Sequence, residues 1–162
     1  MDFIKTYFTA EKNESLIFIL IGFFTIGFSV YIVLKWGDNF YRGFAIPAIL
    51  IGIIQILVGS TVYFRTDKQI LQLETLYQHD KDTLAEVEKP RMDTVMKNFS
   101  FYKKIEIAFV IVGLLLIAFS PDRQFWLGFG VGMLLQGALM LTADVFAERR
   151  GTTYLQEITN QH

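Results

Sequence analysis

The sequence has no cysteine, only two histidines and only three prolines in its 162 residues. Without cysteine there is no disulfide, no thiolate metal site and no thiol nucleophile. The histidines, His79 and His162, do not form a spaced ligand pair. No glycine-rich phosphate loop follows a strand pattern, because the run Gly128–Gly132 lies inside an apolar block. We therefore expect no catalytic, cofactor-binding or metal-binding residues and a protein that is not an enzyme.

Charge is scarce in parts of the chain and nearly balanced overall, with a net charge of −1 at pH 7. A nucleic-acid-binding protein needs a strongly basic face, and this composition gives little support for one. The charged residues are almost absent from four long apolar blocks. This partition excludes an ordinary soluble domain and a disordered chain.

The four apolar blocks predict four transmembrane helices, because a helix needs about 20 apolar residues to cross the hydrocarbon core. Three blocks reach that length: 15–34, 43–64 and 124–143. The other block is shorter and covers 107–121, or begins at Ile105, so a buried or re-entrant helix is the alternative there. Short turns connect the first and last pairs of blocks. The predicted fold is an all-α membrane protein with four transmembrane helices in an antiparallel bundle.

The distribution of lysine and arginine predicts the orientation. Twelve basic residues lie in the two tails and the central loop, and three lie in the other two loops. We expect a multi-pass protein of the plasma (inner) membrane with both termini in the cytoplasm. The predicted organisation is an interfacial segment at 1–14, helices 1 and 2 at 15–64, a cytoplasmic helical hairpin at 65–104, helices 3 and 4 at 105–146 and a cytoplasmic tail at 147–162. Within the hairpin, a short helix over 83–89 should end at Pro90.

Three polar side chains fall near the middle of the predicted spans, namely Thr25, Gln55 and Gln136. An amide in hydrocarbon needs a hydrogen-bonding partner. The first interpretation is a set of hydrogen bonds between helices, and the alternative is a polar lining for a solute path.

Three charged residues lie at the predicted cytoplasmic boundary of the spans, namely Arg65, Glu106 and Asp144. One interpretation is a solvated ring of charges at the helix ends. The alternative is an entry site for a cation or a proton, because intramembrane acids often mark such pathways.

The predicted hairpin carries an apolar stripe that we interpret as a surface for a protein partner. Its residues are Ile70, Leu73, Tyr77, Met92, Met96 and Phe99. We expect a non-enzymatic membrane protein that binds another protein, as an accessory subunit or as a toxin-neutralising immunity protein. In its four-pass layout with inward termini the chain resembles the colicin-type immunity proteins. The alternative is a subunit of a small oligomeric channel or transporter, and glycine patterns such as Gly128-x-x-x-Gly132 allow a homo-oligomer.

Overall fold

The computed structural model of this chain describes residues 2–79 and 81–160, and Met1, Asp80, Gln161 and His162 lie outside that description. The described residues form an all-α fold of four long helices. The helices are α1 (Asp2–Trp36), α2 (Asn39–His79), α3 (Lys81–Phe119) and α4 (Gln124–Thr159). Among them α1, α2 and α4 are long and apolar enough to cross a membrane. The last eighteen residues of α3 contain Lys103, Lys104 and Glu106, which explains why α3 is not a fourth such helix.

Helices α2 and α4 form the centre of the bundle, with α1 packed on α2 and α3 packed on α4. Gly22 of α1 lies against Gly52, whereas the earlier residue Ser15 lies against the later residue Gly59, so α1 and α2 run in opposite directions. The same order of contacts joins α3 to α4. The turn after α1 uses Gly37, whose positive φ of 65° is a conformation that glycine adopts readily.

Close approach of the helices depends on glycine. A Cβ atom on Gly22 would lie 2.7 Å from the carbonyl oxygen of Gly52. A Cβ atom on Gly113 would lie 2.7 Å from the carbonyl oxygen of Gly130. The helices therefore touch backbone to backbone, which is the use that small residues have between apolar helices.

The helices divide the molecule into two halves. We call the uncharged runs 15–34, 43–64, 107–119 and 124–143 the apolar half, and the charged helix ends on the side of residue 2 the polar half. Large apolar side chains of the apolar half point outward; Leu34 and Phe119, for example, are 81% and 80% exposed. An exposed surface of this kind suits lipid better than water.

The polar half has its own core, to which all four helices contribute. The fully buried side chains there include Ile4 and Phe8 of α1, Met92 of α3 and Tyr154 of α4. Leu73 of α2 completes the core. This end is therefore a four-helix unit, whereas the sequence predicted a hairpin of two helices.

Three segments of the polar half belong to longer helices than the sequence predicts, for one physical reason. The sequence predicts an interfacial segment at 1–14 and a cytoplasmic tail at 147–162; in the structure 2–14 is the start of α1, and 147–159 is the end of α4. The helix predicted over 83–89 does not end at Pro90, because α3 continues through it. In each case side chains of the segment are buried in the shared core, and this burial offsets the roughly 3 kcal/mol that a proline costs inside a helix.

Candidate functional site

A chain of polar contacts crosses the centre of the apolar half. Gln55 Nε2 donates to Gln136 Oε1 at 3.3 Å, and Gln136 Nε2 donates to Thr25 Oγ1 at 3.4 Å. The structure thus brings together all three polar residues that the sequence placed near mid-span. Gln55 is only 1% exposed.

The boundary residues are placed differently. Arg65 pairs with Glu11 of α1, its Nη2 lying 3.2 Å from the Oε1 of that residue. Glu106 and Asp144 interact electrostatically with each other, on α3 and α4. The structure therefore joins the two acids and gives the arginine a different partner, which the sequence did not predict.

Glu106 lies much deeper in the bundle than the sequence predicts. A Cβ atom on Gly137 would lie 3.2 Å from the backbone oxygen of Glu106, and Gly137 follows the Gln136 of the polar chain. The backbone of Glu106 therefore lies near the level of Gln136, which is bonded to Gln55. From the sequence, depth can be counted only along α3 itself, and this count places Glu106 at the end of a span.

Asp144 lies at the edge of the apolar half. It lines one space with Glu14 and Ser15, where the uncharged run of α1 begins. Arg150, six residues after Asp144 on α4, pairs with Glu14.

A space of about 120 Å³ lies where the four helices meet at this level. Its polar lining is Glu11, Glu14, Ser15 and Asp144, and the rest of its lining is mainly apolar. Glu11 Oε2, beside this space, is buried without a hydrogen-bond partner. Glu106 Oε2 and Gln55 Oε1 are also buried without a partner. Burial raises the pKa of Glu11 above its ordinary value, and the nearby Arg65 opposes that shift.

A second polar cluster lies inside the core of the polar half. Glu88, which is 1% exposed, accepts hydrogen bonds from Arg91 Nε at 2.7 Å and from Arg91 Nη2 at 2.6 Å. Tyr154 Oη donates to the same carboxylate at 3.0 Å. Burial raises the pKa of Tyr154 well above its ordinary value, and the charge of Glu88 adds to the shift.

Sequence reasoning missed this second cluster. The only signal along the chain is the spacing of Glu88 and Arg91, which places them on one helix face. Tyr154 follows them by more than sixty residues in a segment that was interpreted as a tail, so its hydroxyl could not be assigned to them.

The predicted partner surface is largely internal. Leu73 and Met92 are core residues, at 6% and 0% exposure, and are therefore not available to a partner. Ile70 and Tyr77 pack against that core. Met96 and Phe99 are partly buried; a Cβ atom on Gly151 would lie 3.1 Å from the sulfur of Met96, and Phe99 lines the space between the four helices.

An open groove does lie between α2 and α3 in the polar half. It has a volume of about 600 Å³. Leu71 and Val87 line it and are 67% and 53% exposed, although they lie outside the apolar half. Gln69 also lines the groove, and its buried Oε1 has no hydrogen-bond partner.

Comparisons with protein-family models, with curated proteins and with solved structures found no match to this chain.

Proposed function

We propose that this chain is a multi-pass integral membrane protein that acts by binding another protein through its polar half. In this proposal the apolar half crosses the inner membrane four times. Both termini and the polar half face the cytoplasm, because the basic residues are concentrated there. A toxin-neutralising immunity protein and an accessory subunit of a larger membrane complex are two forms of the same function.

The observation that carries this proposal is the groove between α2 and α3. Lipid covers the exposed apolar residues of the apolar half, but Leu71 and Val87 lie where water would surround them. Exposed apolar side chains beside an open groove are typical of a site that receives a helix or a strand of a partner.

The orientation is tested with single-cysteine variants, which are unambiguous because the chain has no cysteine of its own. Asp38→Cys reports on the turn between α1 and α2, and Thr152→Cys reports on the polar half. A membrane-impermeant maleimide should label the first variant in intact cells and the second only after permeabilisation. The reverse pattern would overturn the orientation.

Partner binding is tested by placing a photo-crosslinking amino acid at Leu71 or Val87 in cells, with exposed Gln156 of α4 as the matched control position. We expect one stoichiometric crosslinked product from the two groove positions and none from the control. Val87→Glu should abolish co-purification of that product while the variant remains folded, because Val87 is not a core residue. Recovery of a lone monomer without a crosslink from native membranes would refute the proposal.

The second candidate function is a channel or transporter subunit, and the depth of Glu106 favours it. A glutamate whose backbone lies near the level of Gln136 is more polar than packing between helices requires. The hydrogen bond between Gln55 and Gln136 weighs against this candidate, because each amide already has a partner in the other. Ion or solute flux in liposomes that is unchanged by Gln55→Leu and by Glu106→Gln would remove this candidate.

A further inference from the structure

Two acidic side chains meet where the apolar half adjoins the polar half, on α3 and α4. Glu106 is 3% exposed, and its Oε2 has no hydrogen-bond partner. Side chains lean toward the start of their own helix, and α3 and α4 start at opposite ends of the bundle. Glu106 therefore leans toward the polar half and Asp144 leans away from it, so that the two carboxyl groups approach each other.

The cations closest to this pair already have other partners. On α3, Lys103 pairs with Glu148 of α4. On the side of α1, Glu14 pairs with Arg150 and Glu11 pairs with Arg65 of α2. Helix α2 presents Val58, Gly59 and Val62 to the adjoining space, none of which can carry a charge.

Two negative charges side by side in apolar surroundings, where the nearest cation, Lys103, already pairs with Glu148, are unfavourable for two reasons. Each loses its hydration, and each repels the other. One bound cation per pair removes both problems. The described residues contain no group of three or more side chains arranged to hold a metal ion. A proton is the smallest cation, and the two carboxyl groups present are enough to hold one proton between them.

We propose that Glu106 and Asp144 form a proton-binding site that holds one proton between their carboxyl groups and exchanges it with the cytoplasmic side. The route is the space of about 120 Å³ that Asp144 and Ser15 line, which has room for several water molecules. Glu11 and Glu14 lie at the polar end of that route. This site is independent of partner binding at the groove between α2 and α3.

The test is labelling of the full chain in detergent or lipid vesicles with a hydrophobic carbodiimide, which adds to a carboxylic acid and not to a carboxylate. Peptide mass spectrometry then locates the adduct. We expect labelling on Glu106 or Asp144. Above the midpoint of the site, labelling should fall by about tenfold per pH unit, because the protonated fraction falls in that way. Glu88 is an internal control, since it is equally buried but faces the cation of Arg91.

Isosteric variants sharpen the result. Glu106→Gln should remove the adduct at that position and shift the labelling of Asp144 to lower pH, because the repelling neighbour is gone. Asp144→Asn should have the converse effect on Glu106. If neither variant folds, the pH profile of the unmodified chain decides the question alone.

Three outcomes would overturn the proposal. One is the absence of labelling at both positions at every pH where the chain is folded. Another is labelling confined to Glu11 and Glu14. The third is saturable protection of the pair by sodium or potassium, compared with a bulky organic cation at the same ionic strength, since a metal ion would then be the occupant.

Discussion

The rings of Tyr7 and Tyr154 stack face to face, with centroids 4.3 Å apart and planes inclined by 9°. This contact joins the first turns of α1 to the last turns of α4, and it lies directly beside the buried carboxylate of Glu88. It makes the core of the polar half depend on both ends of the chain.

The hydroxyl group of Tyr154 should stabilise the fold measurably. Tyr154→Phe keeps the ring stack and removes the hydrogen bond to Glu88, so the free energy of unfolding should fall by about 1.5–3 kcal/mol. Tyr7→Phe is the matched control, because the stack is the same and Tyr7 is not a donor to Glu88. Denaturant unfolding in detergent checks both variants, and equal losses would contradict the assigned role of the Tyr154 hydroxyl.

Alkaline pH should unfold the polar half. Burial raises the pKa of Tyr7 and of Tyr154 above the ordinary value of 10.0, so the folded chain retains protons that the unfolded chain has lost. The free energy of unfolding therefore falls as pH rises above that value. The absorbance of phenolate, followed together with circular dichroism, should show these two tyrosines ionising only as the helices are lost. Early ionisation of all tyrosines in a folded chain would argue against their burial.

Glu11 should weaken the fold as pH rises through the acidic range. Its pKa is raised above 4.5 by burial, so the folded chain binds this proton more tightly than the unfolded chain does. The contribution of Glu11 to stability is thus most favourable below pH 4.5 and declines above it. Glu11→Gln should flatten the dependence of the unfolding free energy on pH in this range. A slope unchanged from that of the original chain would refute the prediction.

Two glycines of α1 provide a matched test of close helix packing. Gly22→Ala places a methyl group 2.7 Å from the carbonyl oxygen of Gly52, and α1 and α2 must separate to admit it. We expect a loss of about 1–3 kcal/mol, as for overpacking in other cores. Gly27→Ala meets no atom within 4 Å, so its effect on unfolding should be small or favourable. Similar effects for both variants would show that the two helices are not in tight contact.

The all-helical fold and the three long apolar helices α1, α2 and α4 could be predicted from the sequence, because long uncharged runs bounded by charges have few alternatives. The contact between Gln55 and Gln136 could also be anticipated, since two amides at similar depth in apolar helices need each other. The level of Glu106 within the bundle could not be predicted from the sequence. It depends on how far α3 and α4 are displaced along the bundle relative to α1 and α2, and that displacement is set by contacts such as Gly137 against the Glu106 backbone.

The polar half was the less predictable part for a related reason. An apolar face such as Leu73 and Met92 looks the same in a sequence whether it awaits another protein or packs inside the same chain. The deciding partners, Phe8 and Tyr154, stand near opposite ends of the sequence, and no local pattern connects them.

The core shared by Ile4, Phe8, Tyr154 and Ile158 also bears on the order of folding during synthesis. Ile4 and Phe8 are translated long before Tyr154 and Ile158, against which they pack. Until α4 has been made, the start of α1 therefore exposes apolar side chains, and a chain stalled before α4 would present them to chaperones and proteases.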